Sequence, residues 1–143
     1  MRVAEILEHK GSKTVTIAPT DSVNRAVETL REHRFGALVV SSDGQTIDGI
    51  VSERDVVRAL GLRSDLLDLP VADIMTAEVV TCSPGDRLDQ LMALMTERRI
   101  RHLPVTVGGV LSGLISIGDV VKHRLSELES ETQAMQEYIH HGR

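Results

Sequence analysis

The chain has 143 residues, a net charge of -5 at pH 7 and two aromatic side chains, Phe35 and Tyr138. Its apolar residues are aliphatic, with 17 Val, 16 Leu and 9 Ile, which excludes a disordered segment and a stacking platform for single-stranded nucleic acid. The mild acidity speaks against a phosphate-backbone binder, and no apolar run approaches the roughly 18 residues of a membrane span.

The chain opens on Val3-Ala4-Glu5-Ile6, an amphipathic start that lacks the hydrophobic core of a secretion signal. A short strand is predicted at Val15–Ile17, and the turn Pro19-Thr20-Asp21 then launches a helix. Val23, Ala26, Val27 and Leu30 fall at helical spacing along it. Strands follow at Ala37–Ser41 and Ile47–Val51, joined through Ser42-Asp43-Gly44, and a second helix opens at Ser52. Gly61 to Pro70 reads as a connector.

The same order then returns. Val71-Ala72-Asp73-Ile74 repeats the opening, and a strand at Val79–Cys82 leads into Ser83-Pro84-Gly85-Asp86. Leu88, Leu91, Met92 and Met95 mark the helix, with strands at Leu103–Val107 and Leu111–Ile115 joined through Val107-Gly108-Gly109. Another helix opens at Ser116 and continues through Leu125, Leu128, Met135 and Ile139. That apolar stripe is too thin to bury alone and implies a docking or dimerisation face. The sequence therefore divides into a first repeat (residues 1–66), a second repeat (67–124) and a C-terminal helix and tail (125–143).

A β-α-β-β-α unit written twice, with Leu103-Pro104-Val105 in the second copy and Gly-x-x-Ser-x-x-Asp at Gly49–Asp55 and Gly113–Asp119, resembles a pair of cystathionine-β-synthase (CBS) domains. The likeness covers residues 1 to 124 and is similar to the free-standing bacterial type. It implies an α/β (α+β) fold: two pseudosymmetric repeats forming one module, with an added C-terminal helix. It further implies clefts between the repeats that bind adenosyl ligands, and dimerisation into a flat disc.

The motif residues have a physical reading of their own. Asp55 and Asp119 are acceptors suited to a ribose diol, and Ser52 and Ser116 stand where a strand feeds a helix. The same four residues also form a helix capping box, which needs no ligand. Arg101 offers a planar fork to phosphate, whereas His102 adds charge only when protonated. In the first repeat Gly36-Ala37 stands at their place, so the two clefts are expected to differ. Arg54, inside the first motif, partly offsets this as a phosphate contact. Arg58 and Lys122 read more simply as helix-surface partners of Asp55 and Asp119.

By the resemblance, Thr16 and Thr81 mark strands that line the clefts, with a plain strand-filling role as the other reading. Ile100, with Ile17, Val51 and Ile115, is a candidate for an aliphatic base pocket. The nucleotides implied are AMP, ADP, ATP, NAD(H) or S-adenosylmethionine.

No catalytic set is legible. Cys82 has Ile17 as its repeat partner and reads as a small buried hydrophobe, and neither Ser52 nor Ser116 has an activating His at a repeat-equivalent place. His140 and His141 lie at the terminus, either a weak metal contact or simply a tail. No metal site and no required cofactor are expected. The expectation is a cytoplasmic, homodimeric, non-enzymatic regulatory sensor of adenosyl nucleotides acting on an unknown protein partner, without nucleic acid or membrane. A structural dimerisation module that binds no physiological nucleotide is the other reading.

Overall fold

The computed structural model describes residues 1–11 and 14–141, so Gly142 and Arg143 of the expected tail lie outside the described residues. After helix α1 (Val3–Lys10), the first repeat runs β1 (Thr16–Ile17), α2 (Val23–His33), β2 (Ala37–Val40), β3 (Gly49–Ser52) and α3 (Glu53–Leu60). Strand β2 is central, parallel to β1 and antiparallel to β3. Ser22 caps α2 by accepting the Arg25 amide at 3.1 Å, and Val23, Ala26 and Leu30 of that helix are buried.

The second repeat has α4 (Leu88–Arg98), β4 (His102–Val107), β5 (Val110–Ser116) and α5 (Ile117–His141). Its β4–β5 hairpin turns on Gly108 and Gly109, both at positive φ, as a tight two-residue loop requires. The strand expected at Val79–Cys82 contracts to a single bridge from Cys82 to Val105. The Cys82 amide donates to the Pro104 carbonyl at 3.0 Å, and the Thr106 amide donates to the Cys82 carbonyl at 2.9 Å. Extending this parallel ladder backwards needs an amide proton on residue 104, which proline lacks. In the first repeat Val39 occupies that place, and β1 forms there.

The two repeats exchange their opening segments. The Val3 and Ala4 amides donate to the carbonyls of Asp86 (3.0 Å) and Pro84 (2.9 Å) in the second repeat. Reciprocally, the Val71 and Ala72 amides donate to Asp21 (2.8 Å) and Pro19 (3.0 Å) in the first. Val3 and Ile6 are fully buried among Leu88, Leu91, Met95, Leu103 and Ile115. Val71 is buried with Ile17, Ala26, Leu30, Leu38 and Val51. Each core is thus completed by the other copy's opening segment, and neither has its full apolar content alone.

The close contacts obey the same symmetry. A side chain at Gly49 would strike Met75 Sδ at 2.7 Å, and one at Gly113 would strike Leu7 Cδ2 at 2.8 Å. The Gly61–Pro70 connector is not structureless: it holds a 3-10 turn at Leu66–Asp68, and Leu66 is buried against Val23 and Val56. Helix α5 packs its first turns on α4 and then extends outward, with every described side chain beyond Leu128 exposed.

Candidate functional site

Both strand-to-helix junctions carry the expected capping box. Asp55 Oδ2 accepts from the Ser52 amide at 2.8 Å, and Ser52 Oγ accepts from the Asp55 amide at 3.2 Å. In the second repeat the equivalent distances are 2.9 and 3.2 Å for Ser116 and Asp119. Capping therefore fixes each carboxylate at the mouth of a helix without using its second oxygen.

Two adjoining cavities lie between the repeats. The first, about 320 Å³, is walled by Ile50, Ser52, Arg54 and Asp55 of the first repeat and by Val79, Val80 and Ile100 to His102 of the second. Arg58 and Arg99 add two further guanidinium groups, and Glu53 and Glu78 are the other acids on its wall. The second, about 350 Å³, is walled by Lys10, Gly11, Thr14, Val15 and Arg34 to Ala37 on one side and by Leu114 and Ser116 on the other. Gly36, Ala37 and His102 belong to both.

Backbone geometry aims these walls. Helices α2 and α4 both end on an arginine in the left-handed region, Arg34 at φ 56° and Arg99 at φ 55°. The chain then doubles back so that the Phe35 amide reaches the Leu30 carbonyl and the Ile100 amide the Met95 carbonyl, each at 3.0 Å. Residues 35–37 and 100–102 are thereby laid along the clefts.

Ser52, Arg54, Asp55, Ile100, Arg101 and His102 come together at the first cavity. Ser116 lines the second, with Asp119 beside it through Lys10. Thr16 and Thr81 line neither; Thr16 sits half-buried in β1 and Thr81 is exposed. The residues of these segments on the cleft walls are instead Val15, which precedes β1, and Val79 and Val80, which precede the Cys82 bridge.

The aliphatic base pocket needs a similar correction. Ile17, Val51 and Ile115 are buried in the two cores, and their strand neighbours Ile50 and Leu114 face the clefts. Successive strand residues face opposite sides, so a one-residue change of register exchanges core for cleft. Phe35 is partly exposed, walls the second cavity, and stacks on the His33 ring with centroids 5.2 Å apart.

Lys10 is the residue that sequence reasoning missed. Its ammonium donates to Asp119 Oδ2 at 2.7 Å and to the Leu114 carbonyl at 3.0 Å. Burial raises the Asp119 pKa, but the hydrogen bonds from Lys10 and the Ser116 amide outweigh it and hold the carboxyl below its ordinary value. At His102 burial, reinforced by the Lys10 charge, lowers the pKa from the ordinary 6.5 against the opposing pull of Glu53 and Asp119. The ring is therefore neutral at pH 7, and cationic charge toward a phosphate comes from the arginines. The buried Cys82 thiol is pushed up to about 12, chiefly by burial and then by Asp86, so it is not a nucleophile at neutral pH. Among the described residues, no cluster of three or more His, Cys, Asp or Glu is placed to hold a metal. Among them, too, no helix is long and apolar enough to cross a membrane.

Repeated halves, reciprocally completed cores and two clefts related by the repeat define a tandem two-repeat module. The chain belongs to the CBS domain family, which matches residues 3–62 and 71–126. The crystal structure of a CBS-domain-containing protein from Agrobacterium tumefaciens is similar, with 44% identity and a TM-score of 0.83 over 87% of this chain and 99% of that one. The mitochondrial CBS domain-containing protein CBSX3 of Arabidopsis thaliana is 34% identical over 98% of this chain and 72% of that protein. The fold alone is shared with the CBS domain pair of MJ0100, solved with 5'-methylthioadenosine and S-adenosyl-L-methionine, at 21% identity and a TM-score of 0.76 over 85% of this chain and 98% of that one. Domains of this family are non-catalytic regulatory modules, and this chain is one of them.

Proposed function

We propose that the protein is a sensor of adenosyl nucleotides, AMP, ADP, ATP or NAD(H), and that the ligand sits in the first cavity. The observation that carries this reading is the composition of that cavity. One repeat contributes Asp55 as a diol acceptor and Arg54 as a cation, and the other contributes Ile100 as an apolar wall and Arg101 as a phosphate fork. Ligand contacts drawn from both repeats favour one arrangement of the halves over another, which is the physical requirement for a signal. Adenosyl ligands in a protein of the same fold support the choice of ligand class.

The functional unit in this reading is a homodimer that signals to a protein partner. The exposed apolar residues of α3 and α5 are the surfaces for a second copy. A cytoplasmic location fits the reading, since adenine nucleotides are abundant there and a lone thiol stays reduced.

Titration calorimetry with AMP, ATP and NADH is the test. At least one should bind, and Asp55→Ala should weaken it about tenfold or more, the scale of a hydrogen bond to a charged group. A folded protein that takes up none of the three at millimolar concentration overturns the proposal.

A further inference from the structure

At the strand-to-helix junctions the two clefts have equivalent parts whose contacts differ in one chemical group. Ile50 of β3 corresponds to Leu114 of β5, and Asp55 corresponds to Asp119. In the first cleft the Ile50 carbonyl accepts the Thr76 amide at 2.8 Å, and the neutral Thr76 hydroxyl stands 3.4 Å from Asp55 Oδ1. In the second, the Lys10 ammonium supplies both contacts, at 3.0 Å to the Leu114 carbonyl and 2.7 Å to Asp119 Oδ2.

We infer that Lys10 restricts nucleoside binding to one cleft per chain by neutralising the carboxylate that a ribose would use in the other. Asp55 makes no ion pair among the described residues, so its charge is uncompensated, and its Oδ1 accepts one long bond, from the Thr76 hydroxyl at 3.4 Å, that a diol can replace with hydroxyls of the same kind. Asp119 is already neutralised by a cation that itself forms part of the cavity wall. A diol entering there meets a carboxylate whose charge is already compensated by an ammonium, so its neutral hydroxyls gain a weaker bond than at an unpaired carboxylate. The wider charge pattern agrees. Three acids line the first cavity among its arginines, whereas the lining of the second includes Lys10 and Arg34 and no acid. Lys10 lies on α1, the segment exchanged between repeats, so the asymmetry is set by the same packing that completes the second core.

The inference rests on the nucleotide reading above, and the number of sites separates the two. Calorimetry with AMP, ATP and NADH should give, for each one that binds, one site per chain in the unaltered protein and two in Lys10→Met. Lys10→Arg, which keeps the cation, should remain at one. In Lys10→Met/Asp119→Ala the second site should disappear again, which excludes a merely loosened fold as the source of the gain. Two sites in the unaltered protein, or one site in a Lys10→Met variant with unchanged circular dichroism, overturns the restriction while leaving nucleotide sensing intact. Absence of binding by AMP, ATP and NADH alike in every variant overturns both.

Discussion

His102 shows how a single residue can look suited to a role that its surroundings withhold. From its position beside Arg101 it reads as a phosphate contact, yet burial and the Lys10 charge keep the ring neutral at pH 7. The ring also fits closely against the backbone of the first repeat, since a side chain at Gly36 would meet it at 3.1 Å. A histidine whose pKa falls below 6.5 on folding binds its proton more readily in the unfolded chain. Its contribution to stability is therefore complete above about pH 6.5 and is lost as pH falls toward the folded-state value. Urea unfolding at pH 7.5 and 5.5 should show a loss at the lower pH that is smaller in His102→Gln. The slope from this residue cannot exceed about 1.4 kcal/mol per pH unit, the limit for one proton. Identical pH profiles for the two proteins would remove His102 from the account. The sequence made His102 visible as a candidate because it stands next to a basic partner and a strand. Its neutrality was not legible, because burial and charges from α1, α3 and α5 set it together with the adjacent Arg101.

At the scale of elements, the most consequential feature is the exchange of opening segments. The similarity of Val3–Ile6 to Val71–Ile74 is plain in the sequence, but its destination is not, because an apolar face does not record which core it enters. The structure assigns Ile6 to the second repeat, where it is completely buried. Ile6→Ala should thus cost about 2–5 kcal/mol, the range for truncating a buried branched side chain. Amide exchange in that variant should rise in α4, β4 and β5 before it rises in β1 and β2. A loss of protection confined to the first repeat would contradict the exchange. The strands teach a related lesson. Their order and hairpins followed from turn residues and repeated spacing, whereas Ile50 rather than Val51 faces the cleft. In an apolar run such as Gly49-Ile50-Val51, alternation between polar and apolar residues is missing, so no pattern in the sequence chooses the face. Pro104 is the converse case: the residue that carries the resemblance also clips the preceding strand, through the amide proton it lacks.

At the scale of the whole molecule, the repeat makes α3 and the first turns of α5 equivalent, since each follows a strand ending in a serine. Both leave apolar side chains in solvent. Val57 and Leu60 of α3 are 66% and 57% exposed, and Leu125 and Leu128 of α5 are 55% and 41% exposed. Met135 and Ile139 continue the α5 stripe at intervals of seven and four residues, the spacing of an apolar helical seam. A seam carried on a helix that has left its own core gains little by facing water, and its stability depends on a packed partner. A second copy meets the requirement, because a two-fold axis brings the same surface to each side. Light scattering at tens of micromolar should give twice the chain mass of 15.7 kDa. Val57→Glu/Leu60→Glu and Leu125→Glu/Leu128→Glu should each yield a folded monomer, because taking two carboxylates per chain out of water into such an interface carries a large desolvation cost. A monomeric unaltered protein, or dimers that survive both pairs of changes, would show that these faces are not where the copies join.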